Sequence, residues 1–234
     1  MAASQTKKLK TEIKAAVRAV FSDRGWTPKR SDSQAFVAPE TVVRSPLSLE
    51  WSTEIDSYRY GGATLTGLGA IRSESVAGVL IGFDPGTLTP LVQRLDDRAR
   101  VLRTLGEVAA TSQGHLVDPL GNFHQWIVDD THPVDLVASE FAAMVDGPLA
   151  SWAAANGTAG DVLSHYGSPD ERTSTDALRV RSLSVLALLE GNVEVARMLV
   201  SGAPVGHGED PQAVIGFERE LARRFPEYGP LQRS

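Results

Sequence analysis

Leu47-Ser48-Leu49-Glu50-Trp51-Ser52-Thr53-Glu54-Ile55 alternates apolar and polar residues. Leu47, Leu49, Trp51 and Ile55 fall on one side of an extended chain, and Ser48, Glu50, Ser52 and Glu54 on the other. Successive side chains of a strand point to opposite faces, so this period of two predicts a strand with one dry and one wet face. Tyr60-Gly61-Gly62 breaks the chain behind it, and two further apolar stretches follow, Ala63–Ile71 and Val76–Phe83. Together they predict an antiparallel sheet framed by Leu47–Phe83. Gly67 and Gly69 in the second stretch suit a bulge or a close approach to the backbone, and would be the first place to seek a ligand if they lined an open groove. The third stretch is apolar nearly throughout, as in a strand covered on both faces.

Outward from this frame, Leu9, Ile13, Ala16, Val17, Val20 and Phe21 recur at three- and four-residue steps and predict a helix over Thr6–Arg24. Lys7, Lys8, Lys10, Lys14 and Arg18 fall mostly off that stripe and read as solvent-facing, and Gly25 suits the C-cap. Trp51 is expected in the core against this helix or against a second one over Thr89–Leu105. Ala35–Val37 and Phe123–Val128 read as strands, with a brief one at Thr41–Arg44. From Thr131 the pattern is helical. Pro133 opens a helix that Gly147-Pro148 kinks or interrupts, with Leu149 and Trp152 continuing its apolar face; Thr158 and Asp161 have capping-box spacing, and Leu178–Leu189 is apolar on most sides and so buried. Gly191-Asn192 separates it from Val193–Val200, and Pro211 opens the last helix.

Strands first and helices later give an α+β fold: an N-terminal helix, an antiparallel sheet of about four to five strands with packed helices, and a C-terminal helical subdomain. The expected division is a sheet domain over residues 1–130 and a helical region over 131–234 packed on it, or one continuous domain.

The chain has 234 residues and no cysteine, which removes disulfides, thiolate metal sites and a cysteine nucleophile and fits a reducing cytoplasm. Met1–Lys14 is polar and basic without the apolar core of a signal peptide, and no apolar run approaches the roughly 18 residues of a membrane span. The net charge of −6 conceals an asymmetry: the first 105 residues carry net +4 and the remainder net −10. No Lys or Arg falls between Arg103 and Arg172, where ten carboxylates do. Such a segment disfavours nucleic acid and favours a cationic partner.

Catalytic signatures are incomplete. Gly67-Leu68-Gly69 begins like a dinucleotide fingerprint but lacks the third glycine, and Asp84-Pro85-Gly86-Thr87 lacks the Gly-Lys-Ser/Thr of a P-loop. Ser164 and His165 are adjacent on a helix and therefore point apart. His115, His124 and His132 lie close in sequence with Asp118, Asp129 and Asp130 between them, and histidine with carboxylate suits zinc, manganese or iron. Their spacing matches no ligand motif, so His115, His124, His132 and Asp118 stand as an alternative, a metal-dependent enzyme. Leu188–Val200 is similar to the second half of an ankyrin repeat, in a single copy, and reads as a generic helix hairpin.

The helix ending in Arg24-Gly25-Trp26, the Phe36 strand, the Leu49–Trp51 strand and the late Trp152 helix followed by small helices resemble, in order and pattern, an uncharacterised bacterial α+β family, domain of unknown function 4304. The resemblance implies a layout like that of immunity-type proteins, which neutralise toxins, and carries no catalytic residue across. The leading expectation is accordingly a non-catalytic cytoplasmic protein that binds another, basic protein through Asp129, Asp130, Asp135, Glu140 and Asp146. No cofactor, nucleic acid or membrane is expected, and no oligomeric state is specified.

Overall fold

The computed structural model describes residues 3–30, 34–58, 61–88, 104–113, 116–117, 124–167, 177–201 and 211–229. The fold is α+β. In chain order the elements are α1 (Ala3–Ser22), β1 (Thr27–Pro28), β2 (Ala35–Val37), β3 (Leu47–Ser57), β4 (Ala63–Ser73), α2 (Glu74–Leu80), α3 (Pro85–Leu88), β5 (Glu107–Gln113), β6 (Leu116–Val117), β7 (His124–Val128) and α4 (Val134–Met144). A π-helical turn (Val145–Leu149) leads into α5 (Ala150–Ala155), followed by α6 (Ala159–Tyr166), α7 (Ala177–Leu189), α8 (Val193–Ser201) and α9 (Pro211–Arg224). The described strands form one seven-stranded sheet in the order β1-β2-β3-β4-β7-β6, with β5 also paired to β4. Two of the seven strands, β1 and β6, are only two residues long.

The chain divides into two compact units, residues 1–71 with 110–155 and residues 72–109 with 156–234, so the dividing line falls inside β4 and β5 and not at residue 130. The first unit holds α1, most of the sheet, α4, the π turn and α5. In β3, Leu47, Leu49 and Trp51 are buried while Ser52, Glu54 and Asp56 are exposed, as the alternation requires. Phe36 of β2 is in register with Trp51, and Leu65 of β4 with Trp126 of β7. Phe141 of α4 meets Trp51, Trp126 and Phe21 edge-on, with ring centroids 5.8, 5.3 and 5.4 Å away. Phe21 of α1 stacks on Phe36 at 4.5 Å. Each such buried ring contributes about 1.5–3 kcal/mol. The same cluster explains why α4, beyond residue 131, belongs with the sheet: its apolar side is spent on Trp51 and Trp126.

Gly67 allows this packing. A Cβ there would collide with Cζ2 of the Trp51 indole, so the close approach expected at this glycine is to a ring. A Cβ at Gly69 would lie 3.1 Å from Leu149 Cδ1 and 3.3 Å from Trp51 Cε3, so side chains and not an open groove cover these glycines.

The second unit is organised around α7, buried from Leu178 through Leu188 except at Arg179, which is half-buried. Phe83 packs on Phe217 of α9 at 5.7 Å. Thr158 and Asp161 form the expected capping box at the start of α6. Asn192 caps α8 by accepting from Val195 N at 3.2 Å.

Two expected strands are absent. Val76–Phe83 is not a strand: it holds α2 and the turn after it. Ser73 Oγ accepts from Val76 N at 3.2 Å and caps a helix, Val76 and Leu80 share its buried face four residues apart, and Ile81 is 67% exposed. Thr41–Arg44 is turn, with Val42 N donating to Pro39 O at 3.0 Å. The segment between Gly106 and Gly114 is a strand, β5. The helix expected over Thr89–Leu105 falls mostly outside the described residues.

Candidate functional site

The expected acidic surface begins where β7 ends. Its last residue, Val128, pairs with Ala63, which places Asp129 at the rim of the sheet. Asp129 Oδ1 accepts hydrogen bonds from Thr131 N at 2.9 Å, Thr131 Oγ1 at 2.7 Å and His132 N at 2.9 Å. The Thr131 hydroxyl, followed by the His132 amide, holds the Asp129 carboxyl below the usual carboxylate range. Asp129 is thus consumed in a turn that delivers the chain to α4. His132 Nδ1 lies 2.9 Å from Thr131 Oγ1 in the same turn.

Asp130 and Asp135 are different. Both are exposed, and neither carboxylate has a hydrogen-bond or ion-pair partner among the described residues. Asp135 sits in the first turn of α4, where the helix dipole favours negative charge. Leu136 beside it is 43% exposed, one of few large apolar side chains on the described surface. Glu140 is half-buried and already has a partner.

Asp146 lies in the π turn, where Val145 and Leu149 are buried and Asp146 is carried outward. There it accepts from Arg24 Nε and Nη2, both at 2.5 Å, a two-pronged pairing. Arg24 Nη1 also donates to Val20 O at 2.8 Å, capping the end of α1. The Arg24 hydrogen bonds hold the Asp146 carboxyl below its ordinary range. The five acids therefore do not act as one patch. Asp129 and Asp146 are bound by neighbours, and the outward charge without a partner among the described residues is Asp130 and Asp135.

Of the candidate metal ligands, His124 and His132 are among the described residues. His115 and Asp118 lie outside the described residues. His124 opens β7 in register with Val117, while His132 is in the Asp129 turn. Among the described residues no group of three or more His, Cys, Asp or Glu could hold a metal ion. His165 meets Asn156 Oδ1 at 3.2 Å. No helix among the described residues is long and apolar enough to cross a membrane.

Three arginine roles were not read from the sequence. Besides Arg24, Arg179 of α7 pairs with Glu107 at 2.6 Å. Arg181, 4% exposed, donates to Leu88 O at 2.5 Å with its guanidinium 5.4 Å from the Phe217 ring centroid. The available signal is two arginines on a helix that is apolar on most sides, since a buried guanidinium requires partners. Set against family models, curated proteins and solved structures, the chain matches none of them.

Proposed function

We propose that this chain works by binding another protein, and that Asp130 and Asp135, with the exposed Leu136 that follows Asp135 in α4 as an apolar contact, meet a basic surface on that partner. The observation that carries the reading is the pair of exposed carboxylates, without a partner among the described residues, on a segment with no Lys or Arg of its own. Charge of one sign without local neutralisation steers a cationic partner, and an exposed leucine supplies the apolar contact on which such interfaces close. The same charge repels a phosphate backbone. An immunity-type role, covering the basic surface of a toxin, is the form that the resemblance in layout implies.

The test is affinity capture from extracts of the source cells with the full chain and with the Asp130→Lys/Asp135→Lys variant. A specific partner should be retained by the wild type, released as salt rises, and lost with the variant while its thermal unfolding is unchanged. Surface attraction is screened over a Debye length of about 8 Å at physiological salt, which is why salt discriminates. A partner held equally by both chains at high salt would overturn the reading.

A further inference from the structure

Within the first unit, a groove of about 310 Å³ opens between α1 and the β2–β3 edge of the sheet. Lys14 and Arg18, one helical turn apart on α1, stand at its mouth with Ala15, and all three are exposed. Val17 and Phe36, 4% and 2% exposed, form its floor. Gln34 and Thr53 complete the far wall. That wall is tied down: Thr53 N donates to Gln34 O at 3.0 Å, and Thr53 Oγ1 lies 3.1 Å from Gln34 O and 3.2 Å from Gln34 Oε1.

The charge layout is the informative part. Among the described residues no carboxylate lines the groove and Lys14 has no ion-pair partner, whereas Lys8 on the same helix is 3.6 Å from Glu12 and Lys29 is 2.7 Å from Glu50. Arg18 already has a partner of its own and adds a second positive charge without being the anchor. A cationic mouth over an apolar floor, at the small end of ligand-pocket sizes, selects for a small molecule with an anionic head and an apolar body. We infer that this groove binds a small organic anion, its carboxylate or phosphate at Lys14 and its apolar part against Val17 and Phe36. The inference is independent of the α4 surface and uses none of its residues.

The full chain is titrated with phenyl phosphate, inorganic phosphate and benzyl alcohol, and backbone amide shifts are followed by NMR. Phenyl phosphate should saturate, with the largest shifts at Gln34 and Thr53, and should bind more tightly than either inorganic phosphate or benzyl alcohol. Lys14→Ala should weaken it about tenfold, the loss of one charge-assisted contact. Ala15→Glu, an exposed and helix-compatible change, should abolish it by placing a negative charge at the mouth. Absence of saturation, affinity unchanged in both variants, or equal binding of benzyl alcohol or of inorganic phosphate would each overturn the inference.

Discussion

Among the described glycines, Gly67 has the closest approach from a neighbour, the Trp51 ring. Trp51 is wholly buried, and its indole occupies the space where any side chain at position 67 would begin. The ring is hemmed in by Phe21 and Phe141 and cannot swing away as an exposed side chain could. Gly67→Ala should therefore cost about 2 kcal/mol of stability, the usual scale for overpacking a filled core. Urea denaturation checks this, and the penalty should shrink in a Trp51→Leu background, because the cost belongs to the pair and not to the backbone at 67. An equal penalty in both backgrounds would refute that account. The alternation around Trp51 is plain in the sequence. Its collision with position 67 is not, because sequence shows which face a ring is on but not which way it lies.

At the scale of elements, the clearest departure from sequence expectation is α2. Val76–Phe83 is apolar enough for a strand, and apolar content alone does not separate a buried strand from a short helix. The decision rests on Ser73. Its backbone N donates to Gly106 O at 2.9 Å, ending β4 beside β5, while its hydroxyl caps the helix that follows. Ser73→Ala removes only the second of these bonds. It should destabilise by about 1 kcal/mol, the typical value of an N-cap, with β4 pairing intact; denaturation with amide exchange at Val76 is the measurement. The opposite case is α4 to α5, where a proline inside the run stops nothing. Pro148 falls in a π turn, which keeps Val145 and Leu149 buried and turns Asp146 out to Arg24.

For the whole molecule, charge is where sequence and structure part most clearly. A segment with no Lys or Arg between Arg103 and Arg172 reads as one acidic face, yet cations from elsewhere in the chain reach into it: Arg24 to Asp146 and Arg179 to Glu107. The consequence is measurable in acid. Asp129 and Asp146 both titrate below the usual carboxylate value in the folded chain, held there by Thr131 with His132 and by Arg24. A depressed folded value means that the unfolded chain takes up protons first as pH falls. The stability these groups supply is thus fully present above about pH 5 and is lost as pH drops through roughly 4 and below. The urea midpoint should fall between pH 6 and pH 3, and the Asp129→Asn/Asp146→Asn chain should start lower at pH 6 and fall less. An undiminished fall in that variant would assign the acid sensitivity elsewhere. Asp146 is exposed and Asp129 half-buried, both open to solvent screening, so the effect is a modest part of the total.

Local pattern determined a great deal of this protein by itself. Periods of two and of three to four residues, with their caps, are short-range properties, and they placed α1, β2, β3, β4, β7, α4, α6, α7 and α8 and the α+β class. Gly25, at φ +73°, ends α1 as its position suggested. The remaining features depend on residues far apart in sequence coming together. Phe141 joins the sheet core from beyond residue 131, Arg24 removes Asp146 from the acidic surface, and Lys14 faces Gln34 and Thr53 across a groove although its helix face reads as ordinary solvated lysine. The physical reason is the same in each case. A side chain's chemistry depends on its neighbours in space, and periodicity specifies which way a residue points but not what it meets there.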